Sequence, residues 1–424
     1  MELRPAYRQT DLGLIPKEWE IRLLASEIER LDAGVSVNSI ESDSSHYVDG
    51  ASVLKTSSVS DGAFLPDECK PIAAKDIHRA SLSPRRDTII ISRMNTPDLV
   101  GECGYVEHDY PHLFLPDRLW MTVFRGGRQI CVRWLAFLLS SAKYKSTLKS
   151  IATGTSGSMK NISKGSLLAL AIPFPHVDEQ YAIVAALSDV DALIRALDRL
   201  SAKKRDLKQA AMQQLLTGKT RLPGFCGEWE KKKLGDIGVF RGGNGFPRRN
   251  QGVLEGDYPF FKVSDMNNDG NTTFMVNSNN SISEAVRKEL GAYAFPPHSI
   301  VFAKIGAAIF LERKKILSQA SCIDNNMMGF ILARASAHHA FIHFLFLTIR
   351  LGNLVSTTAL PSLNGNQVAE LQFPIPPIDE QCAIATVLSD MDSEIAALER
   401  RCDKTRDLKQ GMMQELLTGR TRLI

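Results

Sequence analysis

The chain has 424 residues, 44% of them hydrophobic and 23% charged, with 51 Lys and Arg against 47 Asp and Glu. This is the ordinary make-up of a globular protein of two to three domains, and a formal charge of +4 permits an anionic partner without demanding one. No run approaches membrane-spanning length, Met1-Glu2-Leu3-Arg4 does not begin a signal peptide, and the seven cysteines include no Cys-x-x-Cys, so a cytoplasmic chain with reduced thiols and no membrane partner is expected.

Residues 1–14 form a short lead-in, and Trp19 then opens a first globular part, 15–171. Short apolar runs such as Asp87-Thr88-Ile89-Ile90-Ile91-Ser92 suit buried strands, and Val132 to Lys149 is expected as helix. A segment at 172–225 follows, and a second globular part occupies 226–374, opened by Trp229. Here Ser299-Ile300-Val301-Phe302-Ala303 reads as a buried strand and Ala337 to Val355 as helix. A final segment runs over 375–424.

The two connecting segments are one sequence written twice. From Asp178 to Leu222 and from Asp379 to Leu423, at a constant separation of 201 positions (379 minus 178), 28 of 45 aligned residues are identical without a gap. Both follow a proline-rich approach and begin Asp-Glu-Gln, the Asp suited to an N-cap, and both close at Leu-Leu-Thr-Gly, a helix stop. Ile183, Leu187, Val190, Ile194 and Leu197 in the first copy, and Ile384, Leu388, Met391, Ile395 and Leu398 in the second, alternate in steps of four and three. That is a heptad seam, and its expected partner is the other copy. Unlike the helices, the two globular parts barely resemble each other.

Polar and basic loops recur at similar places in both parts. The first carries Lys55-Thr56-Ser57-Ser58, then Arg93-Met94-Asn95-Thr96, then Arg118, and late on Thr155-Ser156 with Lys160-Asn161. The second carries Arg241, then Lys262-Val263-Ser264-Asp265, Lys304, Asn325-Asn326, and Asn364 with Asn366. Such side chains on loops pair with base edges and phosphates, though any one loop could equally be plain solvated surface. Arg241-Gly242-Gly243-Asn244-Gly245 lacks the spacing of a nucleotide fingerprint. Pro66-Asp67-Glu68-Cys69-Lys70 resembles a nuclease triad only in composition, because two adjacent acids do not readily converge on one metal. His338, His339 and His343 have no partner acids and read as structural. No metal site, methyltransferase motif, Walker loop or nucleophile triad stands out, so a non-catalytic chain is expected.

Together these features resemble the specificity subunit of type I restriction-modification systems, over essentially the whole chain. The likeness rests on Pro16-Lys17-Glu18-Trp19 and Gly227-Glu228-Trp229, the Asp-Glu-Gln helices and the Leu-Leu-Thr-Gly-x-Thr-Arg-Leu endings. Tyr258-Pro259-Phe260-Phe261-Lys262-Val263 and Ile323-Asp324-Asn325-Asn326 are similar to family patterns, as is Arg93-Met94-Asn95-Thr96 with Val100-Gly101. The resemblance implies an α+β fold: two mixed α/β target-recognition domains separated by two long antiparallel coiled-coil spacer helices, related by a pseudo-twofold internal repeat. It implies a reader of double-stranded DNA with one domain per half of a bipartite, asymmetric target. Two methyltransferase subunits using S-adenosylmethionine and up to two restriction subunits using ATP and Mg2+ would be its partners, with no cofactor in this chain. The alternative is a coiled-coil protein-interaction adaptor without DNA specificity.

Overall fold

The structure is a computed structural model of the chain, and it describes residues 6–39, 50–127, 129–154, 158–333, 337–355 and 360–423. Contacts divide it into two units, each assembled from distant pieces of sequence. Unit 1 is Met1–Asp198 with Arg400–Ile424, and unit 2 is Arg199–Glu399. Among the described residues no helix is long and apolar enough to cross a membrane.

Both repeat segments are helices of 39 residues, a central one over Val177–Leu215 and a C-terminal one over Ile378–Leu416. Each starts one residue ahead of its Asp-Glu-Gln, so Asp178 and Asp379 lie in the first turn rather than at the N-cap. There a carboxylate still favours the helix by facing the positive end of its dipole. Gly218 and Gly419 follow the helix ends, both at φ 70°, a left-handed conformation that costs a side-chain-bearing residue energy.

Each unit takes one half of each helix, and within each unit the halves run antiparallel. Unit 1 pairs Arg406 with Asp198 and Lys409 with Asp191, both at 2.8 Å. Unit 2 pairs Lys208 with Asp392, Lys204 with Glu394 at 2.7 Å, and Arg205 with Glu399. From Asp191–Lys409 to Asp198–Arg406, and from Arg205–Glu399 to Lys208–Asp392, one partner number rises as the other falls, which is the antiparallel register.

Leu197 and Ile395 are buried in the helical seam, while Val190, Ile194 and Leu398 are half-buried. Toward its ends the seam has a second partner. Ile183 and Leu187, with Met413, Leu416 and Leu417 of the C-terminal helix, pack into the globular core of unit 1. In unit 2, Ile384 and Leu388, with Met212, Leu215 and Leu216 of the central helix, do the same, and Met391 packs against that core half-buried. The heptad pattern thus describes a helix pair that shares its apolar stripe with a domain.

In unit 1 the main sheet uses strands β1 (Ile28–Ala33), β3 (Val59–Ser60), β4 (Gly62–Phe64), β6 (Thr88–Ser92), β7 (Cys103–Val106) and β9 (Leu119–Phe124), in the order β1-β9-β6-β7-β4-β3. A smaller sheet joins β2 (Ser52–Leu54), β5 (Cys69–Pro71) and β8 (Leu113–Phe114) in the order β8-β2-β5. Its β2 and β8 are parallel neighbours.

Unit 2 repeats this plan with β10 (Gly238–Gly242), β12 (Phe274–Met275), β14 (Ile300–Ala303), β15 (Lys314–Leu317) and β17 (Met327–Leu332), in the order β10-β17-β14-β15-β12. Its smaller sheet holds β11 (Tyr258–Phe261), β13 (Ser281–Ile282) and β16 (Cys322–Ile323), with β11 and β16 parallel. Two sequences of little likeness therefore give one sheet order, because buried β-branched and aromatic runs fall at matching places in each.

Helical expectations inside the units are met in pieces. Val132 to Lys149 becomes two helices, Val132–Ser140 and Ala142–Ser150, parted at Ser141. The hydroxyls of Ser140 and Ser141 donate to the carbonyls of Phe137 and Leu138, a local competition with the helical ladder. Over Ala337 to Val355, a helix His339–Thr348 is followed by a 3-10 turn, Leu351–Leu354.

Candidate nucleic-acid interface

The polar loops converge at the ends of the central sheet strands. In unit 1, β6 ends at Ser92 and the chain continues into Arg93. The Arg93 amide donates to the Arg118 carbonyl at 3.1 Å, and the Arg93 carbonyl accepts from the Ile162 amide at 2.9 Å. One step on, Met94 and Asn95 pair antiparallel with Asn161 and Lys160. Three loops separated in sequence thus meet around one arginine.

Unit 2 builds the same frame. After β14 the Lys304 amide donates to the Asn326 carbonyl at 2.8 Å, and the Lys304 carbonyl accepts from the Leu363 amide at 2.8 Å. Ile305 bridges Ser362, as Met94 pairs with Asn161 in unit 1. Lys304 lies over the end of β10, its ammonium 2.8 Å from where a Cβ on Gly242 would stand, so a side chain at 242 would displace it. Next to that glycine, the Arg241 guanidinium carbon sits 3.9 Å from the centre of the Tyr293 ring.

Several cations elsewhere in the two units are held by acids. Half-buried Lys145 is ion-paired to Glu102 at 2.7 Å and Arg133 to Glu107 at 3.1 Å. Buried Lys314 is ion-paired to Glu312 at 2.6 Å. Arg93 and Lys304 are half-buried, and among the described residues neither has a carboxylate within ion-pair reach. The Arg93 guanidinium lies 5.7 Å from the Trp120 ring centre, and its Nε is buried without an acceptor. Such a group gains by meeting an external acceptor of negative potential, which is what a base edge or a phosphate offers.

Other expected site residues fall into distinct places. Arg118, Asn325, Ser57, Ser264, Thr96, Asn364 and Asn366 are exposed, and Asn364 caps the short helix Gly365–Ala369 by accepting from the Asn366 amide at 3.0 Å. Lys262 follows β11 and spends its ammonium on Gln251 Oε1 at 3.2 Å. Asn326 is exposed but anchored, its side-chain amide donating to Asp324 at 3.2 Å. Lys160 donates to the Gly154 carbonyl at 3.1 Å. Thr56 is half-buried, while Lys55 and Ser57 close onto Glu68 rather than onto the Arg93 group. The Ser57 hydroxyl holds the Glu68 carboxyl below its usual range. Thr155 and Ser156 lie outside the described residues.

Three expected contact residues point inward instead. Ser58 and Asp265 are fully buried, and Asn95 is 8% exposed. Asp265 accepts from the Lys262 amide and the Asn279 side chain, both at 2.8 Å, and burial raises its carboxyl pKa. Asn95 gives its amide to Ser92 Oγ and accepts from the Thr96 amide. In a one-turn 3-10 helix a Ser or Asp can cap inward or face water, and here both face inward.

Sequence reasoning did not assign roles to the residues that tie each unit together. In unit 1, Trp19 Nε1 donates to Glu179 Oε2 at 2.9 Å, and Arg422 grips the other Glu179 oxygen. In unit 2, Trp229 Nε1 donates to Glu380 Oε2 at 3.0 Å, and Arg221 grips Glu380 with Nε and Nη2. The following glutamines lock the domain helices: Gln180 accepts from the Cys131 amide at 2.8 Å, and Gln381 from the His338 amide at 2.9 Å. The signal was the repeated Trp, Glu-Gln and Arg themselves: Glu-Gln and Arg recur at the 201-residue period and Trp at 210, and the three meet only through the fold.

Residues 227–404 match the model of the type I restriction modification DNA specificity domain. A Methanocaldococcus jannaschii protein assigned as the type I restriction enzyme MjaX specificity subunit is 22% identical, covering 98% of this chain and 97% of its own. Over nearly its whole length the chain is thus similar to type I restriction-modification specificity subunits, and residues 227–404 match that family's DNA specificity domain. Its relatives include the MjaIX specificity subunit of the same organism, 21% identical over 98% of this chain and 96% of that one. The StySPI specificity subunit of Salmonella potsdam is 19% identical over 96% and 89%. In fold, it is similar to the type I restriction-modification S subunit from M. genitalium, with a TM-score of 0.55 at 14% identity over 98% of each chain. A chain from a type I system solved in a study of complex assembly and conformational transition gives 0.58 at 15% identity, over 96% of this chain and 99% of that one.

Proposed function

We propose that this chain is a type I restriction-modification specificity subunit and reads a bipartite, asymmetric DNA target, unit 1 taking one half and unit 2 the other. The observation that carries the reading is the repeated strand-end frame with unlike side chains: Arg93 beside Asn161 in unit 1, Lys304 beside Ser362 in unit 2. A fixed frame with changed donors and acceptors is what two different base sequences require of two related readers. Phosphate contacts from Arg118, Arg241 and the exposed amides position each unit without adding sequence information.

The chain itself carries no chemistry in this reading. It gathers methyltransferase subunits, which bring S-adenosylmethionine and methylate adenine, and restriction subunits, which bring ATP and Mg2+ and cut. Two methyltransferase and up to two restriction subunits match the twofold repeat of the helices, which act as spacer and docking surface. Sequencing the methylated sites of cells that express the chain with its methyltransferase subunits tests this. The expected product is one motif of two defined blocks separated by unspecified bases. A contiguous palindromic motif, or methylation by the subunits when this chain is missing, would overturn it.

A further inference from the structure

We infer that Arg93 reads a guanine in the half-site of unit 1, and that positions 93 and 161, occupied by Lys304 and Ser362 in unit 2, set a base on which the two halves differ. The inference rests on the proposed DNA-reading function and deepens it. Its first support is fixation. The backbone of Arg93 is held on both sides, by the carbonyl of Arg118 and the amide of Ile162, so its side chain leaves the sheet from a set point. The guanidinium is carried on Trp120, whose ring is 1% exposed and cannot shift. A fork held this way loses little freedom when it forms two parallel hydrogen bonds.

The second support is the unmet polar demand at this spot. Arg93 Nε is a buried donor without an acceptor, and Asn161 Oδ1, one register step away, is a buried acceptor without a donor. Neither satisfies the other, so the site is incomplete without a ligand that presents both. A G·C pair does so in the major groove: guanine O6 and N7 accept, and the cytosine N4 amino group donates. A phosphate would leave the Asn161 oxygen unmet, and adenine sets its N6 amino donor beside N7, so it offers the arginine fork one acceptor where guanine offers two side by side. At the unit 2 position a lysine provides a point charge rather than a fork, and a serine hydroxyl either donates or accepts, so that half has no matching demand for guanine.

The test uses the full chain in complex with its methyltransferase subunits and the motif found by methylation sequencing. The unit 1 half is the block that stays constant when residues 229–367 are exchanged for those of a relative. Each guanine of that block is replaced in turn by 7-deazaguanine, which lacks the N7 acceptor, and binding is measured by competition. One position should weaken at least about fivefold with the natural chain, and Arg93→Lys should relax the methylated motif at that same position only. A unit 1 block without a G·C pair, or one in which no 7-deazaguanine weakens binding, overturns the inference while leaving the bipartite reading intact. So does an Arg93→Lys complex that loses affinity on all sequences alike with a shallower salt dependence, which marks a phosphate contact. The modified DNA is read with the unaltered protein, so misfolding of the variant cannot decide the outcome. A complex without a two-block motif would instead bring down the parent reading.

Discussion

Arg221 and Glu380 lie 159 residues apart in sequence and are joined by two hydrogen bonds of 2.6 and 2.7 Å. Arg422 and Glu179 make the corresponding contact in unit 1 across 243 residues. In each unit the arginine comes from the end of one repeat helix and the glutamate from the start of the other, with a domain tryptophan on the same carboxylate. Residues Thr-Arg-Leu and Asp-Glu-Gln are repeated because each half of this closure needs its own copy.

Removing the acid deprives both partners of its carboxylate. Glu380 is fully buried, so Glu380→Ala takes the acceptor from the Trp229 indole N–H and the carboxylate from Arg221, which keeps only the Gly227 and Cys226 carbonyls. Breaking a buried ion pair from one side costs about 3–5 kcal/mol, and Glu380→Gln should cost less because one acceptor oxygen is kept. Hydrogen exchange should show the loss in unit 2 and leave the amides of unit 1 protected. A loss below about 1 kcal/mol in urea unfolding would deny the contact its role.

The two terminal glycines are equivalent in sequence and differ in tolerance. A Cβ on Gly419 would stand 2.6 Å from ring carbons of Pro16 and 3.1 Å from Trp19, whereas on Gly218 the nearest atoms are Trp229 ring carbons at 3.4 Å. Both substitutions to Ala carry the left-handed backbone cost of roughly 1–2 kcal/mol. Gly419→Ala adds a clash with a proline ring that cannot rotate away, so it should be the more destabilising of the two. Equal urea midpoints would contradict that.

Unit 2 should weaken in mild acid. His298 and His339 stack at 4.0 Å and His338 lies 4.7 Å from His339, beside the starts of the helices at His339 and Ile378. Burial first, and then the neighbouring imidazoles His298, His338 and His343, bring His339 down to about 4, and burial lowers His338 and His343 as well. A histidine with a depressed folded pKa is neutral in both states above about 6.5, so it takes nothing from stability there. As the pH falls from about 6.5 toward 4 the unfolded chain binds protons that the folded unit refuses, and stability is lost across that window. The unit 2 urea midpoint should fall between pH 7 and 5, and His339→Phe should flatten the slope. A slope unchanged in the variant would place the effect elsewhere.

A half-length chain should dimerise. Residues 1–225 carry the Trp19 and Glu179 acceptor of unit 1 together with Arg205, Lys208, Met212, Leu215, Leu216 and Arg221. The arm that completes unit 1 uses the same residue types at Arg406, Lys409, Met413, Leu416, Leu417 and Arg422. Two copies can therefore complete one another. Light scattering should report a dimer that Arg221→Ala weakens, and a folded monomer would show that the arm is dispensable.

How far the sequence was readable follows from the range of the forces involved. The helices were legible because a seam at steps of three and four, a helix stop and 28 repeated residues are local signals. Their sharing of Ile183 and Leu187 with a domain core was not, since an apolar stripe does not say what covers it. Strands over Thr88–Ser92 and Ile300–Ala303 were legible from apolar runs, but the meeting of Arg93 with Arg118 and Ile162 depends on pairings across dozens of residues. Ser58, Asn95 and Asp265 have the chemistry of nucleic-acid contacts, and only tertiary structure shows them turned inward.

Exchange of one unit tests the central claim most directly. Residues 229–367 are replaced by the matching segment of a relative with a different target, leaving both repeat helices and the Trp229 position filled. The methylated motif of cells carrying the chimera and its methyltransferase subunits is then sequenced. One block of the motif should change to that of the relative while the other block keeps its sequence. A chimera that methylates DNA with both blocks altered, or with neither altered, would contradict a reader built from one unit per half-site.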